Sequence, residues 1–254
     1  RRSKMMSEIT EHQVIAAIAA KGGIARLLGG RAIHAVCGAS LPATLKRHSA
    51  DIDLVTRGRD RKALKAAMTE LGCVPEQEFN LLNGKERMMF HAGETKIDIF
   101  IDVFRMCHTL QLGHRLEMHP LTLSPADLLL TKLQVFHAER KDLSDTAALL
   151  LACGLGPEGL GAIDTNYIAK LLGSDWGFWR TASGTLKTLD ARAEEICGTH
   201  ELAIALQRHI TELLQVLETA PRSLSWRMRA VIGERSPWYE LPEEPDVDHL
   251  PTTA

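Results

Sequence analysis

The sequence has no CxxC pair, and its five cysteines, at positions 37, 73, 107, 153 and 197 of 254 residues, are odd in number. Neither a disulfide framework nor a zinc site is expected from that spacing, and free thiols predict a reducing, cytoplasmic setting. The eleven histidines include no HExxH and no other metal-ligand spacing. No apolar run reaches membrane-spanning length, so no membrane partner is expected. The basic start, Arg1 to Lys4, is followed by polar residues and does not read as a secretory signal. A formal net charge of −2 supplies no overall basic field to draw in nucleic acid, although a local patch is compatible with it. There is no internal repeat and no low-complexity block.

What remains is an ordinary globular balance, 45% apolar and 24% charged, with length for one large domain or two small ones. Residues 7–30 read as a helix capped by Ser7 or Thr10, weakened at Gly22-Gly23 and ended by Gly29-Gly30. Residues 32–37 read as a short strand and 52–55 as a second. Residues 59–71 read as a helix closed by Gly72. Residues 87–91 and 96–104 read as paired strands around an Ala92-Gly93-Glu94 turn. Beyond about residue 122 the character changes. Ser124-Pro125-Ala126-Asp127 combines a cap, a proline at the first helical position and an acid in the first turn. Helical spacing then dominates to about 233, and the proline-rich, acidic stretch from 236 reads as loosely ordered. The predicted class is α+β: a small mixed twisted sheet with helices over 1–122, an α-helical domain over 123–254, and a cleft between them. The four tryptophans, Trp176, Trp179, Trp226 and Trp238, read as core or interface residues of the helical half.

The chemistry is concentrated in acids. On a strand, residues two apart share a face, so Asp51 and Asp53 project together while Ile52 and Leu54 enter the core. Adjacent carboxylates repel unless a cation lies between them, and hard oxygen donors suit Mg²⁺. A second strand carries Asp98, Phe100 and Asp102 on one face, in an apolar setting where an unpaired charge is costly. Asp98 is the choice for third metal ligand and Asp102 the reserve. The Gly38-Ala39-Ser40 turn, read as following a strand, offers small residues for backbone approach to a phosphate, and Ser40 adds a hydroxyl donor.

These residues resemble the DNA polymerase β-like nucleotidyltransferase superfamily: a small-residue turn, an interval, a D-x-D strand and a later aspartate. The flanking Arg47 and Ser49, then Lys132 and the run Arg140-Lys141-Asp142-Leu143-Ser144-Asp145, resemble the AbiEii/MenT-like toxin branch. The likeness covers residues 30–152. It implies Mg²⁺ held by Asp51, Asp53 and Asp98, with Lys132 reaching a triphosphate. It also implies an NTP contacted by Gly38, Ala39, Ser40, Arg47, Ser49, Lys141 and Asp142. The reaction implied is nucleotidyl transfer to RNA such as tRNA, to a protein or to a small molecule, in a toxin partnered by an antitoxin. Two other uses of the same fold stay open: a degenerate nucleotide- or partner-binding module, and a kinase-like phosphotransferase.

Overall fold

In a computed structural model the described residues are 9–38, 41–47, 49–157 and 161–241. The chain opens with α1 (Glu11–Ala20), whose N-terminus is closed by a reciprocal Thr10–Gln13 capping box. Then come β1 (Ala25–Leu28), α2 (Gly29–Cys37), β2 (Ile52–Thr56), α3 (Arg61–Glu70), β3 (Val74–Pro75), α4 (Gln77–Asn83), β4 (Arg87–Ala92) and β5 (Thr95–Ile101). A short hairpin, β6 (Val103–Arg105) and β7 (Thr109–Gln111), leads to the helical half. That half holds α5 (Pro125–Leu133), α6 (Arg140–Cys153), the two-residue strands β8 (Leu155–Gly156) and β9 (Ile163–Asp164), then α7 (Thr165–Leu172) and α8 (Trp176–Ala191). It closes with α9 (Ala193–Cys197), α10 (His200–Thr219) and α11 (Leu224–Ile232). No helix among the described residues is long and apolar enough to cross a membrane.

The main sheet has the order β1-β2-β5-β4-β3. Only the β2–β5 pair is parallel; the others run antiparallel. A mixed α+β fold followed by helices is therefore what the chain adopts. The two halves share one apolar core, which runs from Val14 and Ile18 through Leu54 and Ile99 to Leu150, Leu186 and Leu213. The backbone joins them as well. Leu27 donates to the Leu121 carbonyl and accepts from Leu123 N–H, which lays the chain before α5 along the edge of β1. The α5 start is as expected: the Ser124 hydroxyl accepts from Asp127 N–H, with Pro125 in the first turn.

Three local expectations are corrected. The helix expected over 7–30 stops at Ala20; Gly22, at φ +79°, turns the chain into β1. The spacing of Ile24, Leu27 and Leu28 fits a helix and a short buried strand equally well, and tertiary pairing with β2 decides for the strand. The strand expected over 32–37 is helix α2, which buries Ala32, Ile33 and Cys37 and exposes His34 and Ala35. Its six β-compatible residues concealed a 3.6-residue period, and its start on Gly29-Gly30 looked like a stop. Finally, the 236–241 segment is packed rather than loose: Tyr239 stacks on Phe136 at 3.9 Å and Trp238 meets Trp176 edge-on at 6.2 Å. Residues 242–254 lie outside the described residues.

A buried ion pair fastens the two halves. Asp127, fully buried on α5, accepts from Arg115 Nε at 2.6 Å and from the Ser124 hydroxyl at 2.6 Å, and the Arg115 guanidinium lies 3.6 Å from the Tyr167 ring of α7. Removing one partner strands the other charge. Asp127→Ala is expected to lower unfolding free energy by about 3–5 kcal/mol, read from urea denaturation; a loss under about 1 kcal/mol would show that Arg115 finds solvent instead.

Candidate active site

The site is built where β2 and β5 run parallel. Register sets Asp53 directly beside Asp98, so both side chains stand on one face of the sheet. Asp51, exposed in the bend just before β2, lies near enough for its charge to act on Asp53. Ile52 and Leu54, on the other face, are fully buried and anchor the strand. Burial pushes the Asp53 carboxyl up to about 6, and the charges of Asp98 and then Asp51 push the same way; Lys132 and Lys96 pull against them.

Asp102 is not part of this group. It sits past the far end of β5 with φ +61°, the one positive-φ non-glycine among the described residues. Its carboxylate accepts from Gly58 N–H at 3.0 Å, and its carbonyl accepts from Leu112 and Gly113 N–H. Those bonds hold the junction between the sheet and the β6–β7 hairpin. They separate the reserve candidate from the first choice.

Asp98 is only 3% exposed, and Arg87 of β4 engages both of its oxygens, Nε to Oδ1 at 2.8 Å and Nη2 to Oδ2. Lys96 lies 3.8 Å from Oδ2. The Arg87 guanidinium is in turn covered by the rings of Phe100 at 5.0 Å and Phe79 at 5.5 Å. The sequence pattern pairs residues 87–91 with 96–104 but does not single out Arg87 as a site residue. The hairpin pairs Ala92 with Thr95, which places Arg87 opposite Phe100 and on the face of Asp98.

The glycines at the site are Gly29 and Gly30, the first two residues of α2, directly after β1. Gly29 adopts φ +72°, and a Cβ there would fall 2.2 Å from Asp53 Oδ2. A Cβ on Gly30 would fall 2.7 Å from Arg47 Nη2 and 3.0 Å from Ser49 Cβ. The α2 N-terminus has no side-chain cap and no acid in its first turn, which leaves its first N–H groups to an anion. Gly38, in contrast, caps the C-terminus of α2 at φ +61°. Across nine residues that is roughly 13 Å from the other end. Gly38 thus follows a helix, not the expected strand; Ala39 and Ser40 lie outside the described residues.

The basic residues form a network with acids of the helical half. Arg47 makes a two-pronged ion pair with Asp145 of α6, at 2.7 and 2.5 Å. Lys132, in the last turn of α5, lies 2.9 Å from Asp145 and 3.2 Å from Asp142. Asp142 also accepts from Glu139 N–H and so closes the α6 N-terminus. Lys141 stands apart from this network. It is well exposed and paired with Glu139 at 2.9 Å. Ser49 is held through its backbone: Arg31, in the first turn of α2, donates to the Ser49 and Ala50 carbonyls and to Glu11. Beside this loop a groove of about 640 Å³ opens, lined in part by Gly30, Arg31, Lys46, Arg47 and Ser49.

Among the described residues no group of three or more His, Cys, Asp or Glu side chains is arranged to hold a metal ion. The site offers a pair instead, Asp51 and Asp53. The pair fits Mg²⁺ by two observations. Its donors are hard oxygens, and burial first, then the charges of Asp98 and Asp51, raises the Asp53 pKa, so its ionised form is one that a bound cation would stabilise.

No protein-family model matches this chain, and no curated protein is similar to it in sequence. Among solved structures it is similar to a crystal structure of ANT(2")-Ia in complex with adenylyl-2"-tobramycin, at 17% identity over 56% of this chain and 87% of that one, with a TM-score of 0.41. It is also similar to a solution structure of the antibiotic-resistance factor ANT(2'')-Ia, at 15% identity over 82% of this chain and 92% of that one, with a TM-score of 0.34.

Proposed function

We propose that this chain is a Mg²⁺-dependent nucleotidyltransferase that moves a nucleotidyl group from an NTP to an acceptor. One observation carries the reading. Asp53, the second acid of the D-x-D at the entry to β2, stands in register with Asp98 of β5 and against the uncapped, paired-glycine start of α2. Phosphoryl-type transfer needs little covalent chemistry from a protein. It needs positioning and charge stabilisation.

In this reading Asp51 and Asp53 hold the metal. Bound there, Mg²⁺ supplies neutralisation of phosphate oxygens as pyrophosphate leaves. The N–H groups at Gly29 and Gly30 bind phosphate, and the absence of a Cβ lets the backbone come close. Arg31 fixes the 49–50 loop that feeds β2. Arg47 and Lys132 lie at the edge of the phosphate site, where Asp142 and Asp145 hold them in place before substrate arrives. Ser49 faces the same groove, and Lys141 is assigned to its outer rim. The division at residue 122 is functional in these terms: the α/β half carries the metal and phosphate groups, and the helical half supplies Lys132, Asp142 and Asp145.

The finer assignments rest on the sequence resemblance. These are membership of the AbiEii/MenT-like branch, a toxin role with an antitoxin partner, a cytoplasmic location, and an acceptor drawn from RNA such as tRNA, protein or small molecules. The test is incubation of the protein with each α-labelled NTP, Mg²⁺ and total cellular RNA or lysate, followed by location of the label. Wild type is expected to label one acceptor class, and Asp51→Asn/Asp53→Asn to label none. Equal labelling by the double variant would remove the carboxylates from the chemistry.

A further inference from the structure

Resting on that reading of the site, we propose that Arg87 is a positioning residue that occupies the third carboxylate, so that the centre holds one divalent cation, on Asp51 and Asp53, and not two. The observation is the state of Asp98. Two aspartates in register on parallel strands, with a third beside them, would ordinarily be an invitation to a pair of metal ions. Here the guanidinium of Arg87 spans both oxygens of Asp98, in the planar two-pronged arrangement that suits a carboxylate best.

Each Asp98 oxygen keeps a further lone pair. A divalent ion seated on it would nevertheless lie against a fixed cation, with the Lys96 ammonium close by as well. The guanidinium is not easily displaced. Phe100 lies beneath it from β5 and Phe79 covers it from α4. Asn80 fixes that helix to β4, donating to the Met89 carbonyl and accepting from Met89 N–H at 2.7 Å. Arg87 is thus clamped by side chains from two elements. Asp98 is nearly inaccessible, whereas Asp51 is exposed and open to a cation from solvent. The charges agree with this division of labour. Arg87 neutralises the buried Asp98, Lys132 and Lys96 offset part of the Asp53 charge, and what remains there and on the exposed Asp51 is left for the metal.

The experiment counts Mn²⁺ bound per chain, by the loss of the free-ion electron paramagnetic resonance signal, with Mn²⁺ alone as the probe. Wild type is expected to hold one ion, Asp98→Asn one and Asp53→Asn none. Arg87→Met, which uncovers Asp98, is expected to gain a second, and Arg87→Lys, which keeps the cation, to stay at one. Two ions in wild type, falling to one in Asp98→Asn, would overturn the inference and leave the proposed transfer reaction standing. No ion above the Asp53→Asn background in wild type would instead remove the metal from the proposed function itself. Arg87→Met leaves a buried charge unpaired and is the variant at risk of misfolding. The comparison of wild type with Asp98→Asn does not depend on it, since one ion in both supports the proposal and a fall from one to none refutes it.

Discussion

Asp53→Asn is expected to lose at least about 10³-fold in nucleotidyl transfer and yet to unfold at a higher temperature than wild type at pH 7.5. The first effect follows from removing a metal-binding charge at the centre of the site. The second follows from the cost of keeping that charge without a cation. The folded-state pKa of Asp53 is raised from 3.8 to about 6, first by burial and then by Asp98 and Asp51. A raised carboxyl pKa means that the folded state favours the protonated form. Stability linked to that proton is fully present below about pH 4 and is lost as pH rises through 6, so above pH 6 the ionised group burdens the fold. Asp53 is half-buried and Lys132 and Lys96 offset part of its charge, so the burden is about 1–3 kcal/mol. Asparagine, which has nearly the same shape, does not carry it. The gain in stability should therefore shrink as pH falls from 6 to 4 and vanish below that. Millimolar Mg²⁺ should raise the melting temperature of wild type but not of the variant, because a ligand of the folded state alone stabilises by mass action. Thermal melts of both proteins at pH 4, 5, 6 and 7.5, with and without Mg²⁺, make the comparison. A variant less stable than wild type at every pH would mean that Asp53 is a structural acid with partners of its own.

Gly29→Ala is the second large effect. The new Cβ would fall 2.2 Å from Asp53 Oδ2, which no contact can sustain, and the backbone there is at φ +72°. Either the carboxylate turns away or β1 moves from β2, and each displaces a metal ligand. Transfer is expected to fall at least about 10²-fold, since misplacement by an ångström is enough to do that. Gly22→Ala separates strain from displacement. Gly22 has φ +79°, and nothing lies within 4 Å of a Cβ built on it. Both variants should lose about 1 kcal/mol or more of stability from the left-handed backbone, but only Gly29→Ala should lose activity. Full activity in Gly29→Ala would show that Asp53 can move freely and that the close approach of backbone and carboxylate is incidental.

The carboxylates were legible in the sequence because they depend on short-range rules. Alternation along a strand predicts that Asp51 and Asp53 share a face, and the Ser124 cap with Pro125 marks α5 wherever it lies in the fold. The glycine pair was misread because Gly-Gly after an apolar run is a stop signal in most chains. Here its use depends on Asp53 standing where a Cβ would be, a fact of tertiary contact that no local pattern contains. Arg87 was within reach of the same alternation, since His91 opposite Lys96 sets Arg87 opposite Phe100 and on the face of Asp98, but nothing local marks it as the partner of that carboxylate. The Arg47–Asp145 pair spans 98 positions along the chain and joins a loop before β2 to α6. Charge alone marks both residues; only the fold pairs them.

The most direct measurement follows the two ends of the triphosphate. With an acceptor-containing lysate and Mg²⁺, NTP labelled at the α-phosphate should leave its label on the acceptor, and NTP labelled at the γ-phosphate should release it as pyrophosphate, one per transfer. Label from the γ-phosphate on the acceptor, with nucleoside diphosphate as the by-product, would make the site a kinase-like one and contradict nucleotidyl transfer.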